Sequence, residues 1–266
     1  MSADIKQLRT RLKSVNSTLH LTSAMGLVAS SKIRSVTDKM QKAKAYSKGL
    51  EETVSLLTSS PECKKSPFLQ KDTGKGLALI VIAGDRGLAG GYNANIFRLF
   101  KTFSPNRIFT IGKRACDRFG SPLFLAERFS YENALSMANE ICKEFTEGKY
   151  DKVGILSTEY QSMMTQEARV KWILPILPKE EKKACTLFEP DEKTVLDALI
   201  PDYLAGVILA AVKESFASEI AARHVAMDAA EKNAKKMIDD LQLQYNRARQ
   251  GAITQEITEI VAGSGS

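Results

Sequence analysis

The chain reads as an α/β protein: a long antiparallel coiled coil of N- and C-terminal helices plus a central Rossmann-like α/β domain. Three observations predict it. Residues 1–58 and 203–262 each carry one continuous apolar stripe at helical spacing. Residues 74–180 instead alternate short apolar runs with glycine turns and amphipathic stretches, as strands and helices of a parallel or mixed sheet do. The two patterns do not overlap, so the 266 residues divide into a first helix, a central domain and a last helix.

The first helix follows from Ile5, Leu8, Leu12, Val15, Leu19, Thr22, Met25, Ala29, Ile33, Val36, Met40 and Ala43. These positions recur about every 3.45 residues, the repeat of a supercoiled seam rather than of a straight helix. No proline precedes Pro61, and Gly26 is the only glycine before Gly49. A helix through about residue 58 far exceeds the roughly 12 residues of an ordinary globular helix.

The middle is punctuated differently. SSPECKKSPFLQKDTGKG (59–76) is a loop. LALIVIA (77–83) is a buried strand, followed by the glycine-rich GDRGLAGG (84–91) and a helix to about 101. RIFTIG (107–112) and KVGILST (152–158) are strands, and ARVKWILPIL (168–177) is a fourth or edge strand. Between them Ala134, Met137, Ile141 and Phe145 mark one face of a helix over 131–147, and 178–194 is a charged, proline-bracketed return.

The last helix is read from Leu209, Val212, Phe216, Ile220, Arg223, Met227, Ala230, Ala234, Ile238, Leu241, Tyr245, Ala248 and Ala252. Arg223 breaks the seam with a charge, and the stripe turns small at Ala248 and Ala252. The GSGS tail is a flexible stop. Both helices attach to the domain at the ends nearest it, so they pair antiparallel if they pair. The expectation is a rod projecting from a compact domain.

Composition mostly excludes. With 44% apolar and 26% charged residues the chain is ordinary globular material. The longest apolar runs, LALIVIA and YLAGVILAAV (203–212), fall short of the roughly 20 residues that span a bilayer. Cys63, Cys116, Cys142 and Cys185 form no CxxC pair, which together with only two histidines speaks against zinc and for reduced cytosolic thiols. Charge is informative by place. Residues 1–48 hold ten Lys/Arg against two Asp/Glu, and the remainder is close to neutral, so the +7 excess sits on the first helix. A nucleic-acid binder, an anionic-membrane helix and a shaft facing acidic protein surfaces are the functional readings, beside a merely solvated face.

No enzyme site emerges. GDRGLAGGYN lacks the Lys and Ser/Thr of a P-loop, and its glycines miss the GxGxxG spacing, so a tight turn is the plainer reading. Arg86 is either a surface contact or a loop-pinning group. His20 and His224 lie beside the stripes without a nucleophile constellation. Cys116 has Lys113 and Arg114 beside it, which would lower its pKa, although an inert buried thiol is the commoner case. Asp239–Asp240 and Glu180–Glu181 are adjacent in sequence and do not face each other. No cofactor or metal site is expected.

Three segments carry a family resemblance. IKQLRTRLKSVNSTLHLTSAMGLVASSKIRSV (5–36) and AARHVAMDAAEKNAKKMIDDLQLQYNRARQGAITQEITEIVAG (221–263) resemble the terminal helices of the gamma subunit of F-type ATP synthases. GDRGLAGGYN is similar to that family's glycine-rich loop, with Ala89 where a Cys is usual. The resemblance implies a central rotor: two antiparallel helices inside a ring of alpha and beta subunits, and an α/β domain gripping epsilon and the c-subunit ring. It implies partner contacts at Met25, Arg86, Arg223, Arg249, Gln250, Thr254 and Glu256, with Arg86 matching an arginine set against acidic loops of beta. It implies no catalysis by the chain itself, no nucleic acid, and a peripheral place on the cytoplasmic face of a bacterial cell membrane. A processed mitochondrial source is the other origin open, and a nucleic-acid-binding coiled-coil regulator is the alternative function.

Overall fold

The computed structural model describes residues 2–58, 60–63, 66–69, 74, 76–120, 124–177 and 188–264. Cys185, the Glu180–Glu181 pair, the last two residues of the GSGS tail and parts of both charged loops lie outside the described residues. The helices are α1 (Ser2–Thr58), α2 (Tyr92–Phe100), α3 (Lys113–Phe119), α4 (Tyr131–Thr146) and α5 (Glu192–Ser264). The strands are β1 (Leu77–Ile82), β2 (Arg107–Ile111), β3 (Lys152–Tyr160) and β4 (Gln166–Leu174). The chain forms two compact units, Ser31–Ala222 and the segments Met1–Ser30 with Arg223–Ser266.

The first unit is built on a mixed sheet in the order β2-β1-β3-β4. β1 pairs in parallel with both β2 and β3, placing Ile80 beside Phe109 and Ile155. Its alternate side chains feed opposite cores, which explains why LALIVI has no polar alternation. Ala78, Ile80 and Ile82 join Ile111, Val153 and the α4 residues Ala134, Ile141 and Phe145. Leu79, Val81 and Ala83 join Ile96 of α2 and Ala115 of α3. α4 starts on a capping box, with Ser130 Oγ accepting from the Asn133 N–H and Asn133 Oδ1 from the Ser130 N–H. The edge strand β4 runs antiparallel to β3.

The later part of α1 and the start of α5 cover the first of these cores through Val54, Leu57, Leu196, Ile200, Leu204, Val207 and Val212. They run antiparallel: Lys44 Nζ donates to Glu214 Oε1 at 2.6 Å, and a Cβ on Gly206 would meet Leu50 Cδ1 at 2.6 Å. α5 begins well ahead of residue 203, where sequence periodicity starts it. Asp191 caps it, its carboxylate accepting from the Thr194 N–H at 2.8 Å and the Thr194 hydroxyl at 2.7 Å. Pro201 then sits inside the helix, where it costs about 3 kcal/mol. Leu196 and Ile200 are fully buried on the preceding turns, and burying each contributes about 1.5–3 kcal/mol, which offsets the proline. By length and composition α5 contains a stretch apolar enough to cross a membrane, longer than the ten-residue run suggests. Those apolar residues include the buried Leu204, Ala205, Val207, Ile208 and Val212, so this stretch serves as the core helix of the unit.

The second unit is a pair of helix segments, α1 up to Ser30 and α5 from Arg223. The Gly26 carbonyl lies 3.3 Å from His224 Nδ1, and a carbonyl only accepts, so Nδ1 carries the proton. A Cβ on Gly26 would sit 3.5 Å from that of Met227, and Ser23 bonds to Glu231 further out, which makes the pair antiparallel. Every stripe residue expected on these segments is buried or half-buried, from Ile5 to Ala29 on α1 and from Arg223 to Ala252 on α5. Residues 253–263 are exposed throughout. A register that sets Gly26 against residues 224–227 leaves no part of α1 opposite them.

Gly112 follows β2 with φ +92°, and a Cβ there would lie 1.9 Å from the Ala83 carbonyl oxygen. Gly120 also has positive φ, +67°, but open space around it. Gly120→Ala is expected to cost about 1–2 kcal/mol. Gly112→Ala is expected to cost more than about 3 kcal/mol, because backbone as well as φ must yield. Urea unfolding of the full-length variants checks the order.

Candidate functional site

Two regions present the residues singled out in the sequence. The far stretch of α5 carries Arg249, Gln250, Thr254 and Glu256, all exposed. At 100° per residue they spread over about half of the helix circumference. The same sector holds Ile253, Ile257 and Ile260, exposed by 47%, 56% and 70%, an apolar stripe at 4/3 spacing with nothing from α1 over it. Thr254 Oγ donates to the Gln250 carbonyl at 3.0 Å, leaving the rest of that polar face open. Elsewhere in this unit Met25 is half-buried in the seam, and Arg223 is 7% exposed, so this charged side chain is directed inward.

Arg86 belongs to the other unit, in the loop between β1 and α2. The loop's amides are answered by the protein's own side chains. Asn93 Oδ1 accepts from the Gly84 N–H at 2.9 Å, and the Glu219 carboxylate accepts from the Asp85 and Arg86 N–H groups at 3.3 and 3.4 Å. Glu219 is 1% exposed, and a Cβ on Gly84 would approach its carboxyl carbon to 3.0 Å. A side chain at this position would crowd the carboxylate. A carboxylate thus stands at the N–H groups that a nucleotide-binding loop would offer to phosphate. Next to it the buried Tyr92 hydroxyl donates to the Ser215 carbonyl at 2.9 Å. Burial, then the charge of Glu219, pushes that phenol's pKa up.

The Asp85 carboxylate works in the opposite direction, out to the neighbouring turn. Its Oδ1 accepts from the Lys113 and Ala126 N–H groups at 3.2 and 2.9 Å, and its Oδ2 from the Glu127 N–H at 2.9 Å. The Arg86 side chain is 67% exposed, with Nη2 3.5 Å from Glu127 Oε2. Glu127 Oε1 takes a second cation, Lys32 Nζ of α1, at 2.8 Å. The hydrogen bond from Lys32 outweighs the effect of burial and, with the charges of Lys32 and Arg86, holds the Glu127 carboxyl below the usual range.

Sequence reading missed Glu219, Asp85 and Glu127. The available signal for Glu219 was a charge beside the seam positions Phe216 and Ile220; nothing local marks Glu127. Cys116 is 4% exposed and lies 3.4 Å from the Thr110 hydroxyl, which fits the inert thiol. Burial pushes the Cys142 thiol up to about 12.

Comparison with known proteins adds a family. A family model described as ATP synthase matches residues 4–266. The ATP synthase gamma chain of Ruminococcus albus is 40% identical, covering 98% of each chain. The sodium-ion-specific ATP synthase gamma chain of Acetobacterium woodii is 35% identical, covering 99% of each. Among solved structures, a chain of the Euglena gracilis mitochondrial ATP synthase OSCP/F1/c-ring assembly matches with a TM-score of 0.70 at 18% identity. That match covers 98% of this chain and 94% of the other, and it shows a shared fold.

Removing the buried carboxylate leaves two amides unanswered. Glu219→Ala is expected to destabilise the full chain by about 2–4 kcal/mol, and Glu219→Gln by about 1 kcal/mol. Amide hydrogen exchange at Asp85 and Arg86 accelerates with Glu219→Ala if this carboxylate holds the loop; unchanged exchange there refutes the assignment.

Proposed function

The chain belongs to the ATP synthase gamma family, and from that premise we infer that it is the central rotor shaft of a rotary F-type ATP synthase. It couples ion flow through the membrane c ring to ATP synthesis or hydrolysis at the alpha and beta subunits. Its partners are the alpha and beta subunits of the ring, epsilon and the c-subunit ring. The chain performs no chemistry of its own and sits, through the complex, at the cytoplasmic face of a bacterial cell membrane. The observation that carries the reading is the far stretch of α5, where Ile253, Ile257 and Ile260 stay exposed among polar residues beyond the reach of α1. A helix end of that kind requires a sleeve from another chain.

A rotor changes a catalytic site's nucleotide affinity only through contacts that differ between that site's conformations. Arg249, Gln250, Thr254 and Glu256 supply polar contacts of that kind near the tip, and Arg86 presents a cation to acidic loops of beta. Met25 acts from the seam, supporting the face opposite the ring. Arg223, being buried, acts by setting the local packing of α5 rather than by direct touch. The nucleic-acid alternative has no support: α1 contains no aromatic residue before Tyr46, and Lys32, Lys44 and Lys48 are paired with Glu127, Glu214 and Glu52.

Mixing the purified chain with alpha and beta subunits of the same source is the direct test. Assembly of a stable complex and stimulated ATP hydrolysis are expected, and a mixture unchanged in both respects sinks the rotor reading. Within that complex Arg86→Gln is expected to lower turnover by about two- to tenfold. The free chain's stability stays within about 0.5 kcal/mol, since the side chain is largely exposed. Parallel turnover and thermal-unfolding measurements separate the two effects.

A further inference from the structure

The Glu127 carboxylate is shared between two cations, as that of Glu144 is. One acidic side chain serves two cations from distant parts of the chain, Lys32 of α1 and Arg86 of the glycine-rich loop. Backbone geometry sets its position. Asp85, the residue before Arg86, grips the Ala126 and Glu127 amides, so cation and anion are fixed relative to one another by a single carboxylate. Arg128 adds further positive potential beside it, and the Arg114 guanidinium lies against Gly87 in the same loop. The pairing is open to solvent: Lys32, Arg86 and Glu127 side chains are 39%, 67% and 38% exposed.

We propose that Glu127 is an internal counter-carboxylate that competes with an acidic loop of the partner ring for Arg86 and Lys32, and so keeps that contact short-lived. The proposal rests on the rotor reading. Exposed ion pairs are weak, so an incoming carboxylate displaces Glu127 readily. As the partner's acidic loop withdraws, Glu127 takes the cations back. The two cations are therefore never left without a counter-charge, and the partner's hold on them is reduced by the strength of the internal pair. A shaft that visits three equivalent sites in turn needs contacts that release as well as form.

The test uses the full chain assembled with its alpha and beta subunits, comparing wild type with Glu127→Gln, Glu127→Asp, Arg86→Gln and the Arg86→Gln/Glu127→Gln double variant. Dissociation of the complex on dilution at fixed ionic strength is measured together with kcat and KM for ATP hydrolysis. Glu127→Gln is expected to slow dissociation by about two- to fivefold and to lower kcat without changing KM. Glu127→Asp behaves as wild type, and the effect of Glu127→Gln shrinks when Arg86 is already replaced. Dissociation of Glu127→Gln at or above the wild-type rate overturns the proposal, as does an equal effect with and without Arg86. Failure of the wild-type chain to assemble is a different outcome and removes the rotor reading itself. Thermal unfolding of each free variant shows whether a change in dissociation reflects the fold.

Discussion

The apolar side of α5 has to be covered along a helix of 73 residues, and the way that cover changes along its length organises the protein. Near its start the cover is the sheet domain: Leu196, Ile200, Leu204 and Val212 are part of the same core as β1 and α4. From Arg223 the cover is the opening segment of α1, close enough at Gly26 for ordinary contact between its missing Cβ and Met227. After Ala252 there is none among the described residues. The hydrophobic effect scales with the apolar area removed from water, so an exposed stripe at Ile253, Ile257 and Ile260 is a standing drive to enter another protein's cavity.

The glycine-rich loop shows how one local motif serves a different end from the one its composition suggests. Glycine after a strand and before a helix permits close approach to an anion, and here the anion is supplied internally by Glu219. Burying a carboxylate is costly without strong hydrogen-bond donors, and the Asp85 and Arg86 amides are two of them. The outcome is a loop tied to α5 on its inner side and, through Asp85, to the 126–127 turn on its outer side. Arg86 is thereby held at a defined place on the surface although its own guanidinium makes only a loose contact. Cation placement and cation neutralisation share the same few residues.

Most of the helical architecture was legible in the sequence because it is set by local periodicity. Each stripe position from Ile5 to Ala43 and from Leu209 to Ala252 is buried or half-buried, since a side chain's face on a helix depends on little beyond its residue number. The same holds for β1, whose unbroken apolar run requires burial on both faces. The start of α5 was not legible, because Pro201 is a local stop signal and the burial of Leu196 and Ile200 that overrides it is tertiary. The family resemblance did not indicate that Arg223 is buried.

What the sequence determined by itself was therefore the pairing of two long helices, the alternating sheet domain and the basic character of α1. Only the tertiary structure decided where that charge is answered. Lys32 finds Glu127 across 95 positions of sequence, and the Asp85 amide finds Glu219 across 134. No period or propensity encodes such a meeting. It arises when the folded backbone brings a donor and an acceptor to within about 3 Å of each other.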